Sequence, residues 1–109
     1  MSESSARVMR QRLPNRRAAE TFDLEVNGSR YTATISRFPN GEISEVFLSS
    51  AKAGSDSDAA ARDSAVMASI ALQHGVSLEC LRRALLRDAH GRPATALGAA
   101  LDFLAAEGT

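Results

Sequence analysis

The stretch DSDAAARDSAVMASIALQHGVSLECLRRALL, residues 56–86, decides the fold. It reads as a helix rich in small residues, a tight Gly75-Val76-Ser77 turn and a second, amphipathic helix. Ala61, Ala65, Ala68 and Leu72 recur along one stripe, and Val66 with Ile70 widens it. Small side chains let such a helix lie close to a sheet, while Arg62, Asp63 and Gln73 take polar positions. Ser57 or Asp58 caps its start, and Asp56 and Asp58 suit its positive end. Gly75 ends it as a left-handed residue beyond the C-terminus. Ser77 caps the second helix, where Leu78, Leu81 and Leu85 repeat at i, i+3 and i+7. Arg82, Arg83 and Arg87 gather on its far side and near its C-terminus, where the helix dipole favours cations.

Upstream, the period changes to two. In TFDLEV (21–26), Phe22, Leu24 and Val26 point one way, Asp23 and Glu25 the other. Asn27-Gly28 suits the two positive-φ positions of a type I′ turn. A two-residue loop then pairs Val26 with Ser29, Glu25 with Arg30, Leu24 with Tyr31 and Phe22 with Ala33, which keeps the apolar residues together. A second turn at Asn40-Gly41 leads into a third strand, EISEVFLS (42–49). There Val46 and Leu48 share one face and Ile43, Glu45 and Phe47 the other, so both faces expect cover from a partner subunit or the last helix. A meander also has two edges that need protection.

Downstream, Asp88–Pro93 is a turn, and Thr95 caps a last helix with Leu97, Leu101 and Leu104 as its stripe. The expected order is β-β-β-α-α-α: an α+β domain, a three-stranded antiparallel meander packed against two to three C-terminal helices. Residues 1–18 read as a flexible basic arm, with Arg7, Arg10, Arg12, Arg16 and Arg17 against Glu3 alone. Residues 19–106 form the single domain.

The 109 residues suffice for one modest core, with 44% hydrophobic and 24% charged residues and zero formal net charge. That balance points away from nucleic acid and anionic membranes. The arginines of the second helix also lack an aromatic platform for stacking bases. No apolar run reaches the ~18 residues of a membrane span, and no signal peptide is evident. One cysteine, Cys80, fits a reducing, cytoplasmic setting better than a secreted one.

Catalytic constellations are absent from the pattern. Cys80, His74 and His90 show neither CxxC nor HxxxH spacing, so no metal and no cofactor are expected. Cys80 near a helix start, with His74 upstream, would be the one nucleophile–base pair; among leucines it reads instead as a small buried hydrophobe. His74 at a helix end is a dipole partner. The AKAGSDS loop (51–57) offers Lys52, exposed amides at Gly54 and a following helix N-terminus, which suits a phosphate or carboxylate, with Arg62 nearby. It is not a Walker motif. A flexible linker is its default reading.

Four blocks in order carry a resemblance: LPNRR (13–17), SRFPNGEISEVFLSSAKAG (36–54), SIALQHGVSLE (69–79) and ATALGAALDFLA (94–105). Together they resemble the TSCPD domain, the C-terminal region of adenosylcobalamin-dependent ribonucleotide reductases, which also has small free-standing relatives. The match falls on residues such as Arg16, Arg17, Gly41, Glu45, Phe47, Lys52, Gly54, Ser69, Gln73, Gly75 and Asp102. A chain with one cysteine cannot carry the reductase's radical chemistry. Residues 87–94, RDAHGRPA, also lack the cysteines that suggest metal binding in many such domains. The resemblance therefore implies a non-catalytic accessory, binding or regulatory domain acting through protein contacts, with a reductase or a second copy of the chain as partner. Arg16, Arg17, Lys52, Gly54 and Arg62 are the expected contact residues. The alternative is a small nucleotide- or anion-binding protein built on the Lys52/Gly54 loop.

Overall fold

A computed structural model describes residues 19–107. Three strands, β1 (Glu20–Val26), β2 (Ser29–Arg37) and β3 (Ile43–Ser50), precede three helices, α1 (Asp56–Gln73), α2 (Leu78–Ala84) and α3 (Ala96–Ala106). The sheet is antiparallel in the order β1-β2-β3. Both the α+β class and the meander expected from the sequence are therefore present. The arm at residues 1–18 lies outside the described residues.

The first hairpin has the expected register, from Val26 opposite Ser29 to Phe22 opposite Ala33. Asn27 (φ 51°) and Gly28 (φ 83°) both take the left-handed conformation that a type I′ turn requires. The second hairpin closes differently. Gly41 N–H donates to Phe38 O at 2.9 Å, and only Gly41 of the Asn40-Gly41 pair is left-handed. Ser36 faces Glu45 but Arg37 faces Ile43, so Ser44 is an extra residue on β3. Such a bulge shifts the alternation by one. It moves Ile43 to the core side, away from Glu45 and Phe47, with which strict period two had grouped it; Ile43 and Ser44 are both buried.

The core joins Ala33, Ile35, Ile43, Val46 and Leu48 of the sheet to Ala61, Ala65, Ala68 and Leu72 of α1 and to Leu97, Ala100, Leu101 and Leu104 of α3. Leu78, Leu81 and Leu85 pack partly buried against it. Helix α3 reaches β1, where the Phe22 and Phe103 rings lie 4.4 Å apart between centroids. It does not cover the outer side of β3, where Phe47 is 47% exposed.

Helix α1 departs from its expected placement in one respect. It runs along β3 and meets that strand's free edge as well as its core side. Ser69 Oγ accepts from Val46 N at 2.9 Å and donates to Val46 O at 3.0 Å. Gln73 Nε2 donates to Ser44 O at 2.9 Å, and Ser50 N donates to Asp58 Oδ1 at 2.8 Å. Backbone groups of Ser44, Val46 and Ser50 that a further strand would satisfy are satisfied by side chains instead. Gln73 is thus buried, not a polar surface position, and Val66 and Ile70 are exposed instead of extending the buried stripe. The N-cap is Ser55, two residues before Ser57 and three before Asp58, its side chain accepting from Asp58 N. Gly75, at φ 95°, follows the His74 cap as the sequence indicates.

Candidate functional site

The Lys52/Gly54 loop, Arg62 and the start of α1 converge on Asp58. This carboxylate is 4% exposed. Its Oδ1 accepts from Ser50 N, and its Oδ2 accepts from Gly54 N at 3.2 Å and Arg62 Nε at 3.0 Å. The backbone donors Ser50 and then Gly54 hold its pKa below the ordinary carboxylate value, with Arg62 adding to them and burial opposing. An internal anion therefore occupies donors that the sequence offered to a ligand: the Gly54 amide and the Arg62 Nε both turn towards Asp58. Lys52 remains exposed. It lines a shallow hollow of about 520 Å³ with Gly28, Ser29, Arg30, Ser55 and Ser57.

Arg62 links this node to a second surface. Its guanidinium carbon stands 5.2 Å from the centroid of the Phe47 ring, a cation–π distance. Phe47 is one wall of a groove of about 300 Å³ between β3 and α1, lined also by Thr34, Ser36, Glu45, Val66 and Ile70. Phe47, Val66, Met67 and Ile70 are 47%, 52%, 67% and 42% exposed. Isolated exposed apolar side chains are ordinary, whereas Phe47, Val66 and Ile70 come together on one strand–helix groove, with Met67 further round α1. The sequence did carry a signal for it. Helix α1 has more apolar residues, Met67 among them, than one buried stripe can use.

The remaining candidates separate. Arg16 and Arg17 lie outside the described residues. Cys80 is exposed, not buried as a leucine-flanked cysteine should be; α2 is only 7 residues long and leaves that side uncovered. His74 Nδ1–H donates to Ile70 O at 2.9 Å, closing the helix end. Arg82 and Arg87 are held by a residue of α3: Arg87 donates to both Asp102 oxygens at 2.7 and 2.8 Å, and Arg82 Nε to Oδ1 at 2.9 Å. Among the described residues no group of three or more His, Cys, Asp or Glu side chains could hold a metal ion. No helix there is long and apolar enough to cross a membrane.

A meander backed by three helices, with the KAG loop and the LQHGV turn at the two ends of α1, makes a small α+β domain. The TSCPD domain model matches residues 6–102, and the chain belongs to that family. It is also similar to the vitamin B12-dependent ribonucleotide reductase of Agrobacterium fabrum (strain C58 / ATCC 33970), at 36% identity over 70 residues. That stretch is 64% of this chain but only 6% of the reductase. No solved structure matches the chain.

Proposed function

We propose that this TSCPD domain is a non-catalytic binding module that acts through protein contacts, with a vitamin B12-dependent ribonucleotide reductase as its first candidate partner. The observation that carries this reading is the exposed Phe47, Val66 and Ile70 seam beside Arg62. Aromatic and arginine side chains next to each other are the usual anchors of a protein interface. Arg16, Arg17 and Lys52 remain the charged contact residues that the sequence offers. Similarity to a short stretch of a reductase supports the choice of partner and does not extend to its chemistry.

The test is direct binding of the full chain to a purified reductase of this kind, by calorimetry and co-elution. Phe47→Asp should weaken the complex about tenfold or more, the scale of a central interface side chain. Failure of the unaltered chain to bind would remove the reductase from the proposal.

A second reading, anion binding, is favoured by the convergence of Arg30, Lys52 and Ser57 on one hollow. Titration with inorganic phosphate and a nucleoside diphosphate, followed by amide NMR, should shift Lys52 and Ser57 first. Unmoved signals at millimolar ligand would reject it.

A further inference from the structure

We propose that the cleft between the β2–β3 turn and the α1–α2 turn binds a small organic ammonium, an apolar body bearing N–H donors and a positive charge. Two adjoining hollows of about 230 and 250 Å³ form it, with Phe38, Glu42, Leu72 and Gly75 as shared walls. It has no lining residue in common with the Phe47 groove or the Lys52 hollow, so it stands apart from both functional readings above.

Among the described residues two covered side-chain atoms lack a hydrogen bond, Gln73 Oε1 and Ser44 Oγ. Both belong to the junction where the end of α1 meets the β3 bulge, and Gln73 is a wall of the first hollow. Gln73 is 5% exposed, and its Nε2 donates to Ser44 O at 2.9 Å. A carbonyl oxygen can only accept, so the amide nitrogen must face it and the amide oxygen is left over. A covered acceptor without a donor is costly, and a ligand that brings the donor removes that cost.

The charge around the cleft has one sign. Glu42 is exposed on its rim, and the carboxylate has no partner among the described residues. The negative end of the 18-residue α1 lies alongside, with no basic residue in its last turn. No Lys or Arg lines either hollow. Arg37, just before the turn, is engaged by Glu20 at 3.1 Å and by Gly41 O at 2.9 Å. An anion therefore finds nothing to pair with. A calcium-like ion would want about six or more oxygen ligands, which one carboxylate and one amide oxygen do not supply. An ammonium carries donors and no acceptor, which suits both oxygens. Phe38, Leu72, Val76 and Leu78 offer apolar surface to its carbon body, as the walls of small-molecule sites do.

The test is amide NMR on the full chain, titrated with isopentylammonium chloride at constant ionic strength. Saturable shifts are expected at Glu42, Gly75 and Val76 and on the Gln73 side-chain amide, with Gly28 and Lys52 unmoved. Isopentyltrimethylammonium has the same charge without N–H donors and should bind about fivefold or more weakly. Glu42→Gln changes an exposed carboxylate that holds nothing in the fold, and it should weaken the ammonium about threefold. Equal binding of the trimethyl compound would overturn the proposal by reducing it to charge alone. Equal binding of isopentanol would overturn it by reducing it to apolar contact. Shifts that do not saturate, or affinity indifferent to Glu42→Gln, would overturn it as well.

Discussion

Asp102 shows how one residue ties two helices and a loop together. Arg87 grips both of its oxygens and Arg82 one, while Arg82 also reaches Glu79 at 2.9 Å. Held chiefly by the Arg87 hydrogen bonds, against partial burial, its pKa falls from 3.8 to about 2. A carboxylate depressed in the folded chain stabilises it fully above its ordinary value and loses that contribution as pH falls towards about 2. Stability should therefore drop between pH 4 and pH 2, and Asp102→Asn should flatten that part of the profile. Its side chain is 24% exposed, so the pair lies between a surface bridge and a buried one. We expect Asp102→Asn to cost about 1–2 kcal/mol at pH 7 in urea unfolding. The sequence showed the arginines but assigned them to a helix dipole, because their partner lies 15 and 20 residues further along the chain.

At the scale of the element, α1 covers an edge as well as a face. Its alanine stripe was legible as helical periodicity, and Gly75 was legible as its end. The buried arc was not, because hydropathy assumes that a helix meets apolar side chains. Helix α1 also meets backbone, so Asp58, Ser69 and Gln73 turn inward and Val66 and Ile70 turn out. The bulge at Ser44 was hidden for a related reason, since alternation has no way to announce an extra residue. Ser69→Ala should leave Val46 N–H and C=O without partners and cost about 1–3 kcal/mol. Ser64→Ala is the control: its hydroxyl only donates to Ala61 O within α1, and its cost should stay within about 0.5 kcal/mol. Chemical unfolding of both variants checks the contrast.

For the whole molecule, most family-matching residues have structural work. Gly41 and Gly75 hold positive φ, Ser69 and Gln73 seal the β3 edge, and Asp102 fastens α2 and the loop to α3. The resemblance therefore conveyed fold more fully than activity. Among the described residues the Lys52 side chain has no hydrogen-bond partner and Phe47 is held only by the Arg62 cation–π contact, which leaves both side chains open to a partner or ligand. Of the expected contact set, the structure brings Gly54 and Arg62 to Asp58 and leaves Lys52 exposed, an arrangement that spacing alone could not foretell. Phe47→Asp should leave the urea midpoint almost unchanged, within about 0.5 kcal/mol, while weakening protein binding. A large loss of stability would mean that Phe47 belongs to the core. The seal on β3 also separates two kinds of protection against hydrogen exchange. The Val46 and Ser50 amides are bonded to side chains of α1, not to a neighbouring strand. Their exchange should follow the lifting of the helix even while the rest of the sheet stays closed. Those two amides are thus native reporters of helix docking, and Ser69→Ala should accelerate Val46 well ahead of Phe47, whose amide faces β2.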